Sequence, residues 1–294
     1  MKRLLVVLCL ATLLLGGAGH ATVTFNVSFT AQALADLDAT EQAMFTDGLT
    51  FWDTYITGYR DGVNRNWSLT VDTFSEAAEG GGVLLGYAGP SGLAASSSVA
   101  GSGLSAPWTD RFIISTGGDA SFNVHPDAGP LNPLTIRHEI GHALGIGTLW
   151  EDNEVYNDGV SDNHNRTLAG GIPGQYTGAA ALAAYQAEFN PAATFIPVEL
   201  DGGPGTANAH WNERLDNIFS ENAPGADSDP GDGGPAPTGF SGVNIRQSLD
   251  NELMTGMLSN PAFLSNTTIM SLYDIGFTVV VPIPEPGACA LLGA

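Results

Sequence analysis

Hydrophobic positions recur along this chain in two rhythms. Phe45, Leu49, Trp52 and Ile56 fall at steps of four, three and four, which is the spacing of one buried helix face. Asp38 stands three residues ahead of Glu41 in capping-box spacing, so a long helix is predicted to start there. After Gly62, the segments Trp67–Phe74, Val83–Tyr87 and Arg111–Ser115 read as strands separated by Gly-, Ser- and Ala-containing loops. Asn132 followed by Pro133 marks a second helix start, and Gly145 marks its stop. The order helix, strands, helix predicts an α+β fold in which a twisted sheet packs on two helices.

Beyond Trp150 the pattern is less regular. An acidic, Asn-rich piece covers Glu151 to Asn165, and an Ala-rich segment, Ala179–Phe189, has the composition of a helix. Gly, Pro, Asp and Ser dominate Glu221 to Gly242, which reads as a loop within the fold. Asp227, Asp229 and Asp232 in that loop are candidate calcium ligands, because hard cations favour clustered carboxylates; solvated surface acids are the alternative. A last helix is expected from Ser265 or Asn266, with Ile269, Leu272 and Tyr273 on one face and Gly276 closing it.

The ends and the composition narrow the setting. Lys2 and Arg3, an apolar run from Leu4 to Leu15 and small residues up to Ala21 form a secretory signal peptide over residues 1–21, so a secreted or cell-surface protein is expected. Cys9 lies in that leader and Cys289 near the other end, so no disulfide within the body is expected. The formal net charge of −22 becomes more negative once Lys2 and Arg3 are removed, which argues against nucleic acid as a partner. A Pro-rich tail covers 281–294. Its Pro284-Glu285-Pro286 resembles the start of bacterial Pro-Glu-Pro (PEP-CTERM type) sorting signals, implying cell-surface sorting machinery as a partner.

Candidate chemistry sits in the second helix. His138 and His142, four residues apart, project from one face and can bind the same ion. Glu139 beside the first ligand is placed to act as general base on a water activated by that ion. Zinc suits two imidazoles and makes water a nucleophile near neutral pH, so activity is expected to fade below about pH 6, where free imidazole becomes protonated. Gly141 between the ligands costs roughly 1 kcal/mol of helix propensity, so a close approach is expected there. A catalytic zinc wants a third protein ligand, and residue types alone leave His125, His164, His210 and several acids open.

The segment His138 to Trp150, HEIGHALGIGTLW, resembles the leishmanolysin-like metzincin peptidases. Thr148 stands where most metzincins place their third His. Pro197-Val198-Glu199 with Gly202, Gly203 and Gly205, then Ala209-His210-Trp211, then Glu252-Leu253-Met254-Thr255-Gly256, follow in that family's order, as do Asp274 and Gly276 before Phe277. The resemblance implies His210 as third ligand, Gly145 as the structural turn after the helix, and Met254 as the residue of a Met-turn beneath the metal. It also implies a metzincin-like domain over 22–280, with an N-terminal subdomain of about 22–147 and a C-terminal subdomain of about 148–280. That second subdomain would end in the Met-turn and a helix. Family members are rich in disulfides, and this body departs from them in that respect.

The function expected from this reading is a secreted zinc endopeptidase acting on polypeptides, with Glu139 as general base. A non-catalytic extracellular surface or matrix protein retaining the zinc-binding shell is the alternative, and a zinc hydrolase of another amide, such as cell-wall peptide, is a third. Retention of Glu139 favours catalysis, since a binding module has no use for a general base.

Overall fold

The computed structural model describes residues 22–78, 83–95, 112–159, 172–200, 205–212, 249–256 and 261–281. Residues 1–21, where the signal peptide is expected, the segment holding His164, Gly202 and Gly203, the calcium candidates Asp227, Asp229 and Asp232, and Pro284-Glu285-Pro286 lie outside them. The fold is α+β, with a four-stranded mixed sheet and five α-helices among the described residues.

The sheet has the order β1 (Val23–Phe29), β3 (Arg65–Phe74), β5 (Ile113–Asn123), β4 (Gly86–Ala95). The first three strands are parallel, and β4 runs antiparallel to β5 at the edge. β3 matches the expected Trp67–Phe74 closely. The others differ from expectation: β4 begins later and runs further than Val83–Tyr87, and β5 extends far past Ser115. Gly, Pro, Ser and Ala fill β4, and Gly117-Gly118 interrupts β5, so neither shows strand composition. The glycines answer to packing. A Cβ on Gly118 would come within 2.6 Å of the Ala143 side chain, so helix and sheet could not approach as they do with any larger residue. β1, unpredicted, carries a half-buried alternation of Val23, Phe25, Val27 and Phe29.

A short helix, α1 (Ala31–Asp36), precedes α2 (Ala39–Asp53), which starts at Asp38 with the expected capping box. The predicted helix face is corrected at its end. Phe45, Leu49 and Trp52 are buried on α2, but Ile56 opens a strand, β2 (Ile56–Tyr59), because the helix stops at Asp53. Thr54, Tyr55, Ile56 and Thr57 form a β-branched and aromatic run that favours extended backbone. β2 pairs antiparallel with β8 (Phe277–Val279), so the end of the chain ties back to α2.

The second predicted helix is α3 (Pro133–Leu144), packed across β4, β5 and α2. Ile136 and Ile140 press against Gly48 of α2, and the Trp52 indole donates to the Arg137 carbonyl at 2.8 Å. Trp67 and Phe122 complete this fully buried core from the sheet side.

After Trp150 come β6 (Gln175–Tyr176), α4 (Ala179–Glu188), β7 (Ile196–Pro197) and α5 (Asn266–Asp274). The expected Ala179–Phe189 and Ser265/Asn266 starts hold, with Ser265 as N-cap of α5. Ile269 and Leu272 are buried, while Tyr273 is partly exposed and stacks under Arg60. α4 and α5 cap each other. Asp274, the last residue of α5, accepts from the Ala180 and Ala181 amides at 2.9 Å, where α4 has no side-chain cap of its own. Glu188, the last residue of α4, accepts from the Asn266 and Thr267 amides at 2.8 and 2.9 Å. No helix of the described residues is long and apolar enough to cross a membrane.

Candidate metal centre

Helix α3 carries His138, Glu139 and His142, all buried, with Asn132 capping its start through the Leu134 amide. Gly145 ends it in the left-handed region at φ 117°, where the sequence predicted the helix stop. Thr148 is no ligand; its hydroxyl donates to the His142 carbonyl at 2.9 Å and helps seal the helix end.

The chain then returns to the helix with His210. Gly147, at φ 75°, lies so close to Ala209 that a Cβ there would fall 2.1 Å from the Ala209 carbonyl oxygen. This contact between two backbones brings His210 over the end of α3. Neighbouring bonds hold the loop: the Asn208 amide donates to the Glu199 carbonyl at 2.7 Å and the Glu199 amide to the His210 carbonyl at 2.9 Å. Tyr156 donates its hydroxyl to the Asn208 side chain at 2.5 Å, and Asn208 itself sits at φ 65°. Trp211 is buried against Trp150 in a stack with ring centroids 4.5 Å apart.

The three imidazoles converge. Their Nε2 atoms lie 2.9 to 3.0 Å from one another. Each Nδ1 faces a backbone carbonyl: Leu253 at 2.7 Å for His138, Ile146 at 2.9 Å for His142 and Thr206 at 2.8 Å for His210. A carbonyl only accepts, so each Nδ1 carries the proton and each Nε2 presents a lone pair. Three lone pairs at that separation repel unless a cation lies between them, and all are within reach of one ion at the usual metal–nitrogen distance of about 2.0–2.1 Å. The three buried histidines are therefore able to hold a metal ion. No family model matches this chain, and no curated protein does.

Burial sets the electrostatics. It pulls the His138 imidazolium pKa down to about 3 and that of His142 to about 4, and it holds His210 well below the ordinary value, with the neighbouring histidines adding to the effect at His138 and His210. Neutral imidazole, the form a metal needs, is thus the resting state. Burial alone pushes Glu139 up to about 8. Its carboxyl has no hydrogen-bond partner among the described residues, and a cation in the histidine cage would draw that value down again.

Met254 is fully buried at Gly141, where an added Cβ would lie 2.6 Å from its Sδ. The close approach expected at Gly141 is thus to Met254 on one side and Trp52 on the other. His125 is not part of the cluster; its Nδ1 accepts from the Asp127 amide at 3.2 Å at the start of a single 3-10 turn. The supports of the site escaped sequence reasoning. Leu253, Ile146 and Thr206 act through backbone carbonyls, which no residue type advertises. Glu252 and Tyr156 act through hydrogen bonds to distant segments.

Proposed function

We propose that the chain is a zinc-dependent endopeptidase of the leishmanolysin-like metzincin type, exported by its leader and acting on extracellular polypeptides. The observation that carries the reading is the convergence of three neutral imidazoles, two of them from the helix that also carries the buried Glu139 directly after His138. His138, His142 and His210 would hold the ion. Bound there, zinc supplies Lewis acidity and lowers the pKa of a water toward neutrality. Glu139 accepts the proton of the attacking water and returns it to the leaving amine. Its burial favours that exchange, because a carboxyl poised near neutral pH both takes and gives protons readily. Met254 and Gly141 floor the site, in keeping with a Met-turn.

The polypeptide class is supported by β4. With β1 it is one of the two edge strands of the sheet among the described residues, and it is the edge at Glu139: a Cβ on its first residue, Gly86, would lie 3.4 Å from Glu139 Cγ. An extended chain added to that edge would lie next to the general base.

The test is hydrolysis of a mixed protein substrate by the purified chain. Activity should vanish with a chelator and return with zinc. A protein carrying one zinc per chain and cleaving nothing would instead favour the non-catalytic binding reading.

A further inference from the structure

Glu252 is completely buried, yet it is neither a metal ligand nor part of an ion pair among the described residues. Its two oxygens receive four donors. Oε2 takes the Met254 amide at 2.6 Å; Oε1 takes the Ser265 amide and hydroxyl at 2.9 Å each and the Thr268 hydroxyl at 2.6 Å. The Met254 N–H belongs to the same planar peptide unit as the Leu253 carbonyl. That carbonyl accepts from His138 Nδ1 at 2.7 Å. A single rigid peptide is therefore gripped at its N–H by a carboxylate and at its C=O by an imidazole.

A second path runs to another ligand. The Thr268 hydroxyl that donates to Glu252 accepts from the Trp211 indole at 2.7 Å, and the Trp211 amide donates to the Met254 carbonyl at 3.0 Å. Trp211 follows His210 directly in the chain. Both paths begin at one carboxylate.

Metal-bound histidines commonly give their other ring N–H to a carboxylate, which fixes the tautomer and the ring orientation. We infer that Glu252 is a positioning residue that performs this task at one remove, holding His138 through the Leu253–Met254 peptide and His210 through Thr268 and Trp211. The inference rests on the reading that the three histidines hold zinc. Chains of hydrogen bonds polarise one another, so the carboxylate both aims the carbonyl and strengthens its hold on the Nδ1 proton.

The Glu252→Gln variant isolates the effect, because it keeps the shape and swaps one acceptor for a donor. Turned toward Oε1, the amide NH2 would face three donors; turned toward Oε2 it faces one, the Met254 N–H. The cheaper orientation pushes on the peptide that carries the Leu253 carbonyl. Zinc Kd should rise about 10- to 100-fold, the usual cost of losing such a support. In the metal-free protein, 15N spectra should show His138 shifting from the Nδ1–H form toward a mixture of tautomers. Asp274→Asn is the control: an equally conservative change at a buried carboxylate that receives the Ala180 and Ala181 amides and the Tyr176 hydroxyl, none of which is hydrogen-bonded to a histidine or to a carbonyl that a histidine faces. It should lower stability and leave Kd within about twofold.

Equal Kd in Glu252→Gln and wild type, or an unchanged His138 tautomer, overturns the inference. A wild-type chain that takes up no zinc brings down the metal reading together with this one, so the two failures are told apart. Should the Gln variant not fold, the wild type decides. Its Met254 amide should be shifted downfield and protected from exchange, as an N–H bound to a carboxylate is, and should move when zinc is added. An ordinary shift, or no response to zinc, overturns the inference equally.

Discussion

The part of the chain up to Gly145 and the part beyond it build the three-histidine cluster in different ways. Up to Gly145, order comes from apolar packing: α2, α3 and the sheet enclose Phe45, Trp52, Trp67, Phe122, Ile136 and Ile140, and two of the three histidines follow from the helix repeat alone. Beyond it, regular elements are short, and around the buried Trp150, Tyr176 and Trp211 rings position is fixed by polar groups: the buried Glu252 and Asp274, the half-buried Glu188, and the Tyr156–Asn208 pair. The difference teaches that one half of a metal site can be set by periodicity and the other by hydrogen bonds between segments far apart in the chain. Loss of an apolar contact and loss of a buried acceptor should then have different signatures.

The largest effect is expected where the first region meets the chemistry. Glu139→Gln should retain zinc and fold while turnover falls about 10²- to 10⁴-fold, the range for removing a general base. Loss of zinc along with activity would give Glu139 a ligand or structural role instead. Next comes His210→Ala, the proposed ligand from the second region. Its zinc affinity should fall more than the about 100-fold typical of a lost support, whereas His164→Ala should leave affinity unchanged. Calorimetric titration of both variants distinguishes His210 from the other histidines.

A smaller effect is expected where the two regions touch. Gly141→Ala gains up to about 1 kcal/mol of helix propensity. Its methyl, however, would lie 2.6 Å from Met254 Sδ and 3.1 Å from the Trp52 ring. Overpacking of that kind costs about 1–3 kcal/mol, so a net loss in urea denaturation is the expected outcome. A stabilised variant would mean that Met254 moves freely and is no fixed floor.

The mildest probe is pH, applied to the metal-free protein. His138 and His142 have pKa values lowered by burial to about 3 and 4, and His210 is lowered as well. Their contribution is full above the unfolded value of about 6.5 and is lost as pH falls toward 4, because the unfolded chain takes up the protons. Glu139, raised to about 8 by burial, acts in the other direction: its contribution is full below the unfolded value and is lost as pH rises through 8. The Tm of the metal-free chain should therefore decline on both sides of about pH 6.5, and Glu139→Gln should flatten the alkaline side. The same shifts revise the expected acid limit. Zinc should be retained below pH 6, since buried imidazoles stay neutral there.

How much was legible in the sequence follows from the same contrast. Asp38, Asn132, Pro133, Gly145 and Ser265 punctuate helices by local chemistry, and they stand where they were expected. Ile56 misled because its spacing continues the helix face while its β-branched neighbours begin a strand. β4 and the middle of β5 were hidden because small residues there serve the close packing of α3. The three carbonyls behind the histidines were invisible in principle. Glu252 was in view beside Met254, but nothing in the residue order says that its carboxylate reaches Ser265 and Thr268.

The reciprocal caps of α4 and α5 bear on how the second region comes apart. Each helix ends in an acid that opposes its own dipole and complements the start of its neighbour. At 10 and 9 residues, both are shorter than the roughly 12–15 residues at which an isolated helix is even marginal. Neither should therefore persist alone, and their amides should exchange with solvent in a single cooperative event. Ser265, the N-cap of α5, is also a donor to Glu252. Opening of this pair, which contributes none of the three histidines, should thus remove a donor from Glu252.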